Sequence, residues 1–160
     1  MCRMRAFYQS HRGAIVAAAL VALSLAAVPA VAQDADYTAA ANPFQEDFEY
    51  EIGTDLRPLV AVDGVRWIRF AIRPKSDREY DPSKEVPLVV EVDILNNRDS
   101  ADVLLIVLFE DENGNALDRL ELDTIKAGRG KLREELQKHK VTGSVLEATR
   151  RLYLFFEVSR

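Results

Sequence analysis

Val103-Leu104-Leu105-Ile106-Val107-Leu108-Phe109 is seven apolar residues in a row, three of them β-branched and one aromatic. Asn96-Asn97-Arg98-Asp99-Ser100 precedes the run and Asp111-Glu112-Asn113-Gly114-Asn115 follows it, both rich in turn-forming residues. So short an apolar run between turn signals fits a strand covered on both faces better than a free-standing helix. Leu88 to Leu95 lies ahead of it and Leu117 to Leu122 behind. The three runs predict consecutive antiparallel strands of one sheet.

Working outward, Leu59 to Val62 and Val65 to Ile72 flank Asp63-Gly64. Asp-Gly supplies the positive φ angles of a two-residue type I′ hairpin turn. Strict alternation along the second arm puts Ile68, Phe70 and Ile72 on one face, and Val65, Trp67, Arg69, Ala71 and Arg73 on the other. Leu88, Val90, Val92 and Ile94 form one face of the next strand, with Glu91 and Asp93 opposite. Phe48-Glu49-Tyr50-Glu51-Ile52 alternates as a half-buried edge strand does. The charged, proline-containing stretch from Pro74 to Glu85 is a surface loop, and Leu152 to Val158 is a terminal strand.

In the central run the outer set Leu104, Ile106 and Leu108 is as apolar as the inner set Val103, Leu105, Val107 and Phe109. A sandwich leaves one sheet face wet, so this row calls for a cover. Lys131 to Lys140 is rich in helix formers, with Leu132 and Leu136 four apart. It predicts a short covering helix, with an edge strand as the competing assignment; a partner or a second copy of the chain could also serve as cover. Ser144 and Glu147 match a capping box, predicting one or two helical turns through Thr149. The expected fold is mostly β: an antiparallel immunoglobulin-like β-sandwich of about seven strands with one or two short helices.

The N-terminal stretch reads as an address. Arg3, Arg5 and Arg12 precede an apolar run from Ala14 to Val28, then Pro29 and Ala30-Val31-Ala32. These are the charge, apolar run and small-residue triplet of a secretory signal peptide. The stretch is long enough for an uncleaved anchor, but Pro29 and the triplet favour cleavage after Ala32. Residues 1–32 are thus assigned as signal peptide, 33–43 as a flexible tail and 44–160 as the β-sandwich domain, in a periplasmic or secreted protein with no membrane span after cleavage. Cys2 leaves with the leader, so the mature chain has no thiol for disulfides or catalysis. Without the three leader arginines, 18 basic residues face 26 acidic ones, a formal net charge of −8. Such a chain is a poor match for nucleic acid or anionic lipid, whose phosphates need a basic patch.

Reactive groups are few. Asp111 to Asn115 superficially has the look of a calcium loop, but its glycine falls fourth rather than sixth and its flanks are strands, which favours a hairpin turn on Asn113-Gly114. His139, the sole histidine after cleavage, sits between Lys138 and Lys140 on a polar stretch, and the usual zinc sets and nucleophile–histidine–acid triads lack their members. The carboxylates lie along strand exteriors and turns, and nothing selects an acid–base pair. No cofactor is implied. Trp67, the only tryptophan, shares its expected face with Arg69 and Arg73. That trio is a candidate ligand-binding platform for a sugar ring or acidic peptide, by stacking and charge-assisted hydrogen bonds. The simpler reading packs the indole beneath the arginine stems and the N-terminal strand.

Val90 to Ser100 followed by Leu108 to Leu117 resembles the middle of bacterial FxLYD-type and fibronectin type III-like domains. The shared pattern is a strand ending in Asn-Asn, a polar turn, an apolar strand and an Asp-Glu-Asn-Gly-Asn turn. The resemblance implies an immunoglobulin-like sandwich with a non-enzymatic extracytoplasmic role and carries no functional residues across. The expected function is therefore an exported, non-enzymatic binding or assembly module acting through protein contacts, with an unidentified extracytoplasmic protein or a second copy of itself as partner. The alternative is a small-ligand or glycan-binding protein.

Overall fold

The computed structural model of the chain describes residues 36–75 and 81–160. The proposed signal peptide lies outside these residues. The described residues form β1 (Thr38–Ala40), β2 (Phe44–Glu49), β3 (Asp55–Leu56), β4 (Val60–Val62), β5 (Val65–Pro74), β6 (Glu85–Asn96), β7 (Ala101–Glu110), β8 (Ala116–Glu121), β9 (Ile125–Ala127), β10 (Leu132–Thr142), the helix α1 (Gly143–Ala148) and β11 (Arg151–Ser159). One sheet runs β1-β4-β5-β6-β10, with β3 also on β5; the other runs β2-β11-β7-β8, with β9 also on β7. The two sheets pack face to face as a β-sandwich. An immunoglobulin order would leave the last strand at a sheet edge; here β11 lies between β2 and β7.

The core follows from period-two alternation. Val86, Leu88, Val90, Val92 and Ile94 of β6 are buried, as are Val103, Leu105, Val107 and Phe109 of β7, and Leu152, Leu154, Phe156 and Val158 of β11. All belong to one apolar cluster. The Asp-Gly hairpin forms as expected: Val62 pairs with Val65, and Asp63 and Gly64 have φ of 45° and 81°. The turn between β7 and β8 closes on Asp111, whose carboxylate accepts the amides of Asn113 at 2.8 Å and Asn115 at 2.9 Å.

The three opening runs do not share one sheet as expected: β6 belongs to the first sheet, and β7 and β8 pair in the second. Four further expectations are corrected. First, residues 131–140 form no helix: β10 pairs with β6 over eleven residues without a break in register. The unmet backbone groups of β6 offer a full ladder, whereas an isolated ten-residue helix with two leucines is marginal. Second, Ser144 caps nothing, since the N-cap is Thr142 without a side-chain cap bond. The amides of Gly143 and Ser144 donate instead to the carbonyls of Lys84 at 2.9 Å and Pro82 at 2.8 Å. Third, part of the expected tail is strand, because β1 pairs in parallel with β4. Fourth, β5 does not alternate strictly. Trp67 pairs with Ile94 and Arg69 with Asp93, leaving Ile68 as a bulge residue without a partner.

Candidate functional site

The bulge decides the fate of the proposed platform. One inserted residue exchanges the faces of everything on one side of it. Val65 and Trp67 therefore point into the core together with Phe70 and Ile72, while Arg69 and Arg73 point outward. Trp67 is fully buried. Its ring stacks on Phe156 at 4.8 Å and 12°, and meets Phe70 and Phe44 edge-on at 5.8 and 6.3 Å. Its indole N–H donates to the Arg69 carbonyl at 3.2 Å. Trp67 thus serves packing, as the simpler reading held, but inside the sandwich rather than beneath arginine stems. It is not a surface platform.

Arg69 and Arg73 do come together, in an ion-pair cluster on the outer face of the first sheet. Arg69 Nε donates to Asp93 at 2.7 Å, and its Nη1 reaches Glu91 at 2.7 Å and Asp55 at 3.3 Å. Arg73 Nη2 lies 2.6 Å from Asp55 and its Nε 3.3 Å from Glu91. Its Nη1 donates to the Gly53 carbonyl. The hydrogen bond to Asp93 raises the Arg69 pKa further, against the opposing effect of burial. Two guanidiniums share three carboxylates, so the cluster carries a net negative charge and most of its donors are already engaged. It fastens β3 and the turn before it onto β5 and β6.

The outer face of the second sheet is of a different kind. Leu104, Ile106 and Leu108 are half-buried, and the register sets Phe155 beside Ile106 and Tyr153 beside Leu108. Five apolar or aromatic side chains thus form a continuous strip across β7 and β11. No described helix or strand lies over it, and the segment expected to cover it is β10 of the other sheet. Charged and polar groups rim the strip. The Tyr153 hydroxyl donates to Gln45, Arg119 pairs with Glu121 at 2.9 Å, and Arg151 lies 3.7 Å from Asp47. At the end of β7, Glu110 is buried, and its pKa is raised first by that burial and then by the charge of Asp47. Tyr153 and Phe155 had a signal in the sequence, since Leu152 to Phe156 is apolar at every position and so apolar on both faces.

The remaining features suggest little chemistry. An open cleft of about 690 Å³ lies where β9 ends and β10 begins, lined by Lys126, Lys131, Arg133 and Arg160 among others. Of these, Arg133 pairs with Glu135 at 2.6 Å and Arg160 with Asp63 at 3.1 Å. His139 sits in β10 opposite Leu88, with its pKa lowered by burial and its Nε2 buried without a hydrogen-bond partner. Among the described residues no group of three or more His, Cys, Asp or Glu side chains is placed to hold a metal ion. No helix among them is long and apolar enough to cross a membrane.

No family model matches the chain, and no curated protein matches it.

Proposed function

We propose that this chain is an exported, non-enzymatic binding or assembly module that acts through protein contacts in the periplasm or outside the cell. The observation that carries the reading is the strip of Leu104, Ile106, Leu108, Tyr153 and Phe155 on the outer face of the second sheet. An aromatic and aliphatic patch with a charged rim has the anatomy of a protein-binding surface. Its tyrosine and phenylalanine are residue types enriched in such patches. The sugar-platform reading loses its main residue, since Trp67 is in the core.

Photo-crosslinking tests this. A photoreactive residue replacing Ile106 in the expressed protein should give a discrete adduct that the same residue at exposed Lys84 does not give. The adduct should disappear when Phe155→Asp is added. Ile106 is half-exposed, so Ile106→Asp leaves its carboxylate in reach of water, and the variant should fold with unchanged Trp67 emission. Equal adduct patterns at positions 106 and 84 would overturn the reading.

A further inference from the structure

The longest free strand edge among the described residues belongs to β10, which pairs with β6 on one side only. The ladder fixes which of its backbone groups are unspent. The Gly143 amide donates to the Lys84 carbonyl at 2.9 Å, in register with the β10–β6 pairing. Hydrogen-bonded pairs alternate in an antiparallel ladder, so odd-numbered residues of β10 turn their backbone groups to β6. Even-numbered residues of β6 supply the partners. Consistently, the odd-numbered residues of β6 serve β5, as in the 2.9 Å bond from the Lys75 amide to the Pro87 carbonyl. Leu132, Glu134, Leu136, Lys138 and Lys140 therefore present N–H and C=O groups at the open edge. The same five side chains lie on the outer sheet face. Leu132 and Leu136 are 53% and 67% exposed, the large apolar side chains most open to solvent among the described residues.

A bare edge invites any strand, and lysines normally guard against this. Here the guard is selective. When β10 is laid antiparallel on a second β10 with Leu136 opposite its own copy, Glu134 falls opposite Lys138 at both ends of the two-fold. All the even-numbered residues then face one another as hydrogen-bonded pairs. Moving the centre to Glu134 sets glutamate against glutamate, and moving it to Lys138 sets lysine against lysine. Centring the strands on Glu135 opposes that residue to itself. Within the chain, Glu134 is paired across the ladder with Asp93, a like charge, and Lys138 with Val89. No ion pair among the described residues engages either one, whereas neighbouring Lys140 reaches Glu85 at 3.1 Å.

We propose that β10 is a self-recognition edge through which two copies of this chain join their first sheets into one continuous sheet about a two-fold axis at Leu136. An isologous contact of this kind needs a self-complementary patch, and the Glu134–Leu136–Lys138 alternation is one. The apolar strip on the second sheet stays open in such a dimer, so the partner contact proposed above and this one are independent.

Charge exchange in analytical ultracentrifugation tests it. The unmodified protein should sediment as a dimer. Glu134→Lys and Lys138→Glu, each on its own, set like charges across both ends of the contact and should weaken self-association at least about tenfold. Mixed one to one, these two variants should form a heterodimer, and the double variant Glu134→Lys/Lys138→Glu should dimerise again. Both side chains are exposed, and unchanged Trp67 emission in each variant confirms an intact fold. A protein that stays monomeric at high micromolar concentration would overturn the proposal, and so would a dimer indifferent to these exchanges. Loss of the Ile106 crosslink with the dimer intact would count against the strip alone.

Discussion

Replacing Tyr50 with phenylalanine removes one oxygen and should produce a pH-dependent stability difference that few other changes could mimic. The Tyr50 ring is 6% exposed. Its hydroxyl accepts the Ile72 amide at 2.8 Å and donates to the Thr54 carbonyl at 2.9 Å, holding the turn after β2 against β5. At pH 8, Tyr50→Phe strands the buried Ile72 amide and should cost about 2 kcal/mol. Burial, the largest cause, also pushes the phenol pKa up to about 12, against an ordinary value near 10. Between these values the unfolded chain gives up the proton while the folded chain keeps it. The unfolded state then binds fewer protons, so stability falls as pH rises. By pH 12 the unmodified protein loses about 2.3 kcal/mol through this one group, approaching about 2.7 kcal/mol once pH has passed both values. The variant has no such group, and all other titrations are common to both proteins. The difference between them should shrink from about 2 kcal/mol at pH 8 to near zero by pH 12. Urea unfolding followed by Trp67 emission at pH 8, 10, 11 and 12 measures it. A difference that stays constant across that range would refute the placement of the hydroxyl in a dry site.

Two further outcomes are expected. Trp67, stacked on Phe156 inside the core, should emit in the blue and resist iodide quenching until the protein unfolds; red-shifted, readily quenched emission from the folded protein would contradict its burial. Gln137 clasps the β8–β9 connection, its Oε1 accepting the Asp123 amide at 2.7 Å and its Nε2 donating to the Asp123 carbonyl at 2.8 Å. Gln137→Leu should therefore cost about 1–2 kcal/mol and speed hydrogen exchange at the Asp123 amide, and unchanged exchange there would show the clasp to be incidental.

Much of the sandwich was legible because its cues are local. Asp63-Gly64 specifies a hairpin by φ alone, and the alternation of Leu88 to Ile94 names the buried face without reference to the rest of the chain. What was not legible depended on partners distant in sequence. The bulge at Ile68 is invisible to a period-two reading, since it exists only relative to the pairing with Ile94 and Asp93. One unseen residue moved Trp67 from the surface to the core and dissolved the proposed platform. Lys131 to Lys140 has the composition of a helix, yet β6 had backbone groups to satisfy, and Leu132 and Leu136 share a face at a spacing of four in a strand as in a helix. Ser144 and Glu147 have the right spacing for a capping box, but the carbonyls of Pro82 and Lys84 reach the helix amides first. The apolar row at Leu104, Ile106 and Leu108 was legible; its extension through Tyr153 and Phe155 required the register of β11 on β7.

The interior position of β11 bears on when the fold can form. β2 finds its ladder partner in residues 151–156, more than a hundred positions later in the chain. β7 likewise lacks one of its neighbours until β11 arrives. The second sheet therefore stays open until residues 151–159 have been made, and pairing over such sequence separations is slow. Before that strand is made, β2 and β7 each carry an open edge where β11 will later sit between them.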